Sequence, residues 1–156
     1  MRIAIAQINC TVGDLTGNAK KILDYTNQAK NKGASLVVTP ELALSGYPPE
    51  DILLREGFRL ACRKTLDSLV KEINGISLLL GHPYFVNSRI YNAASLICNG
   101  KIVATYLKNN LLNDNIFAEP HYFETGSDSC TFSVEGIKFG VNISTDIWKE
   151  INVISA

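Results

Sequence analysis

The sequence has no surplus of charge of either sign. Its 15 Lys and Arg residues balance 15 Asp and Glu, so it lacks the basic face that nucleic acid or an anionic membrane would demand. Long hydrophobic runs are missing as well. No stretch approaches the ~20 apolar residues of a membrane-spanning helix. The opening Met1-Arg2-Ile3-Ala4-Ile5-Ala6-Gln7 alternates after a single charge, whereas a secretory leader needs an apolar core and a small-residue cleavage site. The four cysteines, Cys10, Cys62, Cys98 and Cys130, form no C-x-x-C pair, which predicts free thiols in a reducing, cytosolic compartment and no metal site. Nucleotide and zinc signatures (G-x-G-x-x-G, Walker loop, H-E-x-x-H) are absent, so no cofactor is expected. The aromatics are dispersed rather than gathered into a stacking platform for bases. Neither histidine, His82 nor His121, sits in a base motif, which weakens a serine-hydrolase reading.

What remains is an ordinary globular composition, 46% hydrophobic and 19% charged, with one domain's worth of chain at residues 1–156. Arg2 to Asn9 reads as a strand with Ile3 and Ile5 on one face. A turn-rich connection leads to Asn18, which can cap a helix running to about Lys32, and Gly33 stops it. Ser35 to Thr39 is a β-branched, apolar run and reads as a buried strand. Strand, helix and strand in this order predict a right-handed crossover between parallel strands. A second helix is expected over residues 57–73, with Cys62 inside its apolar stripe as a core residue. Ile76 to Leu80 reads as a strand ending at Gly81. Ala93 to Cys98 and Lys101 to Tyr106 flank Asn99-Gly100, and residues 130–134 and 137–143 bracket Glu135-Gly136; both read as hairpins. The fold class is therefore α/β with a mixed sheet.

Three polar groups stand at comparable places. Glu41 follows the strand that Pro40 ends, Lys108 follows the strand ending at Tyr106, and Ser144 follows the strand ending at Ile143. Ligands and catalytic groups collect at such strand ends. A carboxylate, an ammonium and a hydroxyl at one edge of one sheet would supply a base, an oxyanion stabiliser and a nucleophile. Each also has a plainer reading: Glu41 as a loop carboxylate, Lys108 as a solvated hairpin-end lysine, Ser144 as the cap of a helix beginning at Asp146.

The motifs Ile5-Ala6-Gln7 with Val12-Gly13-Asp14 and Gly17-Asn18, Pro40-Glu41-Leu42 running into Gly46-Tyr47-Pro48-Pro49-Glu50-Asp51, Gly81-His82-Pro83, Tyr91-Asn92-Ala93-Ala94, Tyr106-Leu107-Lys108, Phe117-Ala118-Glu119 with Tyr122-Phe123, and Asp146-Ile147-Trp148 span nearly the whole chain. Together they resemble the carbon–nitrogen hydrolase (nitrilase) superfamily. Within it, the Gly-Tyr-Pro-Pro-Glu-Asp run is similar to the glutaminase domains of glutamine-dependent NAD+ synthetases. The resemblance implies part of an αββα sandwich with its C-terminal portion missing, and no synthetase domain. It implies glutamine, a small amide, as substrate and ammonia as product. It further implies Glu41 as general base, Lys108 as oxyanion stabiliser, Glu119 as a supporting carboxylate and Tyr47 as a wall of the glutamine pocket.

The same resemblance exposes departures. Where the family has Cys-Glu-Asp-Ile-Trp, this chain has Ser144-Thr145-Asp146-Ile147-Trp148. A hydroxyl is a far poorer nucleophile than a thiol of pKa near ~8.5, so an impaired site is expected. Thr145 replaces a substrate-holding glutamate, and Asp114 stands where a second pocket tyrosine belongs. The alternative is a silent ligand-binding or interaction module. A partial sheet would leave an open edge, and with it a route to self-association.

Overall fold

The computed structural model describes residues 1–113 and 118–148. Its first unit is the expected strand, helix and strand with the two strands parallel. β1 (Ile3–Ile5), α1 (Leu15–Asn31) and β2 (Leu36–Val38) follow in order, and β1 lies parallel to β2 with Ile3 beside Leu36. Helix α1 buries Leu15, Ile22 and Ala29, one stripe at helical spacing. It ends where Gly33 takes a φ of +75° and the amide of Ala34 returns to the carbonyl of Ala29 at 3.0 Å, a closure that favours glycine at this point.

Helix α2 (Glu56–Glu72) leads into three longer strands, β3 (Ser77–Val86), β4 (Arg89–Cys98) and β5 (Lys101–Leu107). The sheet order is β1-β2-β3-β4-β5, parallel up to β3 and antiparallel beyond it. The mixed sheet is thus as expected. Alternation along β3 sorts its side chains: Leu78 and Leu80 pack with Ile22 and Leu69 on the helical side, while Leu79 faces the opposite layer. That opposite layer is a two-stranded ribbon, β6 (Cys130–Val134) and β7 (Ile137–Val141), whose Phe132, Val134 and Phe139 cover Leu36 and Leu96. Helices, sheet and ribbon make three successive layers of an αββα arrangement.

Four sequence expectations need correction. Strand β1 is three residues, not eight, because only Ile3 to Ile5 have register partners in the short β2. The α1 cap is Asp14, whose Oδ1 accepts from the amide of Gly17 at 2.9 Å. Asn18 is instead fully buried in the first turn, bonded to both backbone atoms of Thr11 and to the Leu44 carbonyl. Strand β3 does not stop at Gly81 but runs on to Val86, turning through Asn87 and Ser88, both at positive φ, into β4. Beyond Leu79 it has left β2 behind, so among the described residues Pro83 has β4 as its one strand neighbour, a position proline tolerates. Finally, the hairpin after residue 129 is a separate ribbon lying over the sheet face. Ser144 therefore follows a strand of a different sheet from the one that carries Glu41 and Lys108. The two hairpin turns read from Asn99-Gly100 and Glu135-Gly136 have positive φ at both residues, as the type I′ turn requires.

Candidate active site

Two close approaches set Glu41 and Lys108. The segment after β2 crosses over β3 at Gly81, where a Cβ atom would lie 2.3 Å from the carbonyl oxygen of Pro40 and 2.7 Å from the amide of Leu42. Only a hydrogen fits there. Leu42 itself sits at a φ of +50°, a costly conformation for a leucine, and this turn holds Glu41 over the strand ends. On the other side, the amide of Lys108 donates to the Asn92 carbonyl at 2.8 Å, continuing the β4–β5 ladder by one bond. Gly126 packs on that backbone, its amide 2.8 Å from the Lys108 carbonyl, and a Cβ there would meet the Leu107 carbonyl oxygen at 2.4 Å.

The side chains then meet. Lys108 is buried, and its Nζ lies 2.7 Å from Glu41 Oε1 and 3.0 and 2.9 Å from the two oxygens of Glu119. An ammonium so enclosed needs such partners. Lys108 is thus no solvated hairpin-end lysine. Glu119, at the start of a short 3-10 turn (Glu119–His121), is itself buried and also accepts from the Leu112 amide at 2.6 Å. Tyr47 reaches this second carboxylate, its hydroxyl 3.4 Å from Glu119 Oε1. Glu41 is the more open member, with its side chain 22% exposed.

Ser144 approaches from the other sheet. It follows β7, opens the 3-10 turn Ser144–Trp148 and stands exposed at a φ of +47°. A cavity of about 130 Å³ is lined by Glu41, Gly81, Ala93, Asn142 and Ser144. Glu41 and Ser144 therefore face a common space, with no hydrogen bond between them. A larger groove of about 450 Å³ runs between α1 and α2 past Lys20, Leu23, Lys64 and Leu69, on the outer helix faces away from this cluster.

The buried Asp146 ties the two halves of the site together. Its Oδ2 accepts from the Tyr106 hydroxyl at 2.8 Å and the Ile143 amide at 2.9 Å, and its Oδ1 from the amides of Asn109 and Asn110 at 3.0 and 2.7 Å. The backbone just after Lys108 is thereby fastened to the backbone just before Ser144. Thr145 adds to this fastening: its hydroxyl donates to the Asn110 carbonyl at 2.6 Å, and its own carbonyl accepts from Asn110 Nδ2 at 2.8 Å. Its side chain is turned onto Asn110 and is not part of the cavity wall. Asp114, the remaining pocket candidate, lies outside the described residues.

Burial favours the neutral form of five further groups. Burial pushes the Tyr106 hydroxyl well above its ordinary value, helped by its bond to Asp146. Burial also raises the Cys62 thiol to about 12 and, less strongly, the thiols of Cys10 and Cys130; none of the three offers a ready thiolate. His82 is fully enclosed and lowered by burial to about 4. Its Nδ1 lies 3.0 Å from the Pro83 carbonyl, which can only accept, so the proton sits on Nδ1 and Nε2 accepts from Ser95 Oγ at 2.8 Å. The described residues contain no group of three or more His, Cys, Asp or Glu able to hold a metal ion.

The family model for carbon-nitrogen hydrolases matches residues 2–153. The chain belongs to the carbon-nitrogen hydrolase family. A glutamine-dependent NAD(+) synthetase of Xylella fastidiosa is 42% identical over 151 residues, which is 95% of this chain and 28% of that protein. The solved glutamine-dependent NAD+ synthetase of Acinetobacter baumannii, bound to ADP, superimposes with a TM-score of 0.91 at 34% identity, over 97% of this chain and 29% of its own. A nitrilase-superfamily amidase from Nesterenkonia superimposes with a TM-score of 0.82 at 27% identity, over 96% of this chain and 57% of its own; a further structure of that amidase carries acrylamide added to an active-site cysteine. This carbon-nitrogen hydrolase chain thus spans under a third of the length of the synthetases it matches. It resembles their glutaminase portion.

Sequence reasoning passed over two residues of this site. Asn92 and Asp146 both fall inside family-like motifs, yet neither stands at the end of a regular strand. The available signal was polarity in an apolar context: an asparagine beside Ala93-Ala94, and an aspartate closely following Val141 and Ile143.

Proposed function

We propose that this chain carries the amide-hydrolysing site of a glutaminase-like carbon–nitrogen hydrolase domain over residues 1–156, weakened by serine at position 144. The observation that carries the reading is the buried Lys108 bridging Glu41 and Glu119, with Ser144 across the cavity from Glu41. In the intact form of this chemistry the nucleophile at position 144 gives its proton to Glu41 and bonds the amide carbon. The oxyanion that forms is stabilised by Lys108. The proton passes to the departing nitrogen, the C–N bond breaks and ammonia leaves. Water then cleaves the acyl intermediate, regenerating the nucleophile and releasing glutamate. Glu119 holds Lys108 in place through both of its oxygens, and the resemblance assigns Tyr47 and Asp114 to the substrate side, whereas Thr145, turned onto Asn110, fastens the backbone beside Ser144 instead.

Serine weakens the first step because its hydroxyl is far less acidic than a thiol and is normally driven by a histidine relay, which Glu41 does not provide. Ammonia release from glutamine tests this. Replacing Ser144→Cys is expected to raise the rate by more than about tenfold, a barrier change of only ~1.4 kcal/mol. Equal rates in the two proteins overturn the reading.

A second reading is supported by the same serine together with the exposure of Ile5: a silent module that retains an amide in the cavity and associates through its sheet edge. Calorimetry with glutamine on the unaltered chain separates the two, since binding without turnover favours the module. The four unpaired cysteines fit a cytosolic location, which belongs to this proposal. No helix among the described residues is long and apolar enough to cross a membrane.

A further inference from the structure

Asn92 is fully buried in β4, and its side chain is spent entirely on the acidic members of the site. Its Nδ2 lies 2.6 Å from Glu41 Oε1 and 3.5 Å from Glu119 Oε1, while its backbone carbonyl accepts the amide of Lys108 at 2.8 Å. Its own Oδ1 is buried with no hydrogen-bond partner among the described residues. A buried orphan oxygen costs stability, and an apolar side chain at this point of the strand would avoid it. The amide group is explained by what its nitrogen does.

What it does is asymmetric. Both donors that reach Glu41, Lys108 Nζ and Asn92 Nδ2, bind the same oxygen, Oε1. The other oxygen, Oε2, accepts no hydrogen bond among the described residues. Lys108 alone, at the end of a flexible stem, would leave the carboxylate free to turn about its terminal torsion. Two donors converging on one oxygen from different elements, β4 and the end of β5, lock that torsion. We infer that Asn92 is a positioning residue that pins Glu41 by Oε1, so that Oε2 is the proton-accepting atom turned toward position 144. This rests on the assignment of Glu41 as the base, and the test separates the two.

The readout is alkylation by iodoacetamide at position 144 in the chain carrying Ser144→Cys. The sulfur bonds the reagent's methylene carbon, iodide leaves and the thiol proton goes to Glu41. Peptide-resolved mass spectrometry distinguishes this thiol from Cys10, Cys62, Cys98 and Cys130. Rates are compared across a double-mutant cycle of Glu41→Gln and Asn92→Leu. Asn92→Leu is expected to slow alkylation about tenfold when Glu41 is present and less than about twofold when it is already Gln, because a residue acting only through Glu41 has nothing left to act on. A purely structural asparagine would give the same loss in both backgrounds, and that result overturns the inference. So does an unchanged rate with Glu41 present. Should Glu41→Gln itself leave the rate unaltered, the base assignment fails and the inference fails with it; a slow Glu41→Gln beside an unaffected Asn92→Leu removes the inference alone. If circular dichroism shows that Asn92→Leu does not fold, the smaller Asn92→Ser carries the same comparison.

Discussion

A histidine enclosed on all sides is a proton sensor that the fold has switched off. Along one hydrogen-bonded chain Thr105 Oγ1 donates to Ser95 Oγ at 2.8 Å, Ser95 Oγ donates to His82 Nε2 and His82 Nδ1 donates to the Pro83 carbonyl, and every partner suits the neutral ring. Burial lowers the folded value from 6.5 to about 4. The unfolded chain therefore binds a proton that the folded chain refuses, between those two values. Stability contributed by this group is complete above about pH 6.5, falls as pH drops and is gone below about pH 4. The shift corresponds to about 3 kcal/mol at ~1.4 kcal/mol per unit. Urea midpoints measured from pH 7 down to pH 5, above the range where most carboxylates titrate, should fall steadily in the natural sequence and stay flatter in His82→Gln. The other histidine, His121, is exposed and is not enclosed in this way. Parallel slopes for the two proteins would show that the imidazole is not the group responsible.

At the scale of elements, the site is a joint between the end of β5 and the exit from β7, and Asp146 is the pin. One carboxylate accepts from Tyr106, Asn109, Asn110 and Ile143, so its removal strands four donors in a buried region. Orphaned donors cost about 1–3 kcal/mol each where water cannot reach them. Asp146→Ala is expected to lower unfolding stability by roughly 3 kcal/mol or more, and Tyr106→Phe, which removes one donor, by about 1.5–3 kcal/mol for a bond to a charged acceptor. Denaturant titration checks both, and near-equal losses would mean that the hydroxyl bond alone carries the joint. This joint was the least legible part of the chain. Helical spacing revealed α1 and α2, because burial of one face leaves its mark every three to four residues; an unbroken β-branched, apolar run revealed β2, and the turn residues Asn99-Gly100 and Glu135-Gly136 revealed both hairpins. The contact of Lys108 with Glu119 was not readable that way, since residues 108–128 follow no period; only the family-like motif around Glu119 pointed to it. The β3–β4 turn escaped for a related reason: Asn87-Ser88 carries no glycine, although both residues adopt positive φ. Nor could spacing reveal that β6 and β7 cross the sheet face instead of joining its edge. That choice depends on which apolar surface is left bare once β1 to β5 have paired.

For the molecule as a whole, the bare surface is at β1. Register places Ile3 beside Leu36 and Ile5 beside Val38, and neighbours in register share a face of the sheet. Leu36 and Val38 are covered by the ribbon, but the cover stops short of the next strand: Ile3 is 47% exposed and Ile5 77%. Among the described residues β1 has one strand neighbour, β2, so its far side presents backbone groups and an apolar row together. A strand edge of this kind pairs readily with another copy, and burying one isoleucine contributes about 1.5–3 kcal/mol. The weight-average mass in sedimentation velocity should therefore rise above 17.1 kDa as concentration increases. Ile5→Lys places a charge in the middle of the row, the device natural edges use against pairing, and should hold the protein at 17.1 kDa over the same range. Because β1 lies at the opposite side of β2 from β4 and β5, the substitution leaves Glu41, Lys108 and Asn92 untouched, so alkylation at position 144 in the Ser144→Cys background should proceed at the same rate with and without it. A constant mass for the natural sequence would show that the edge, though open, is not sticky enough to pair.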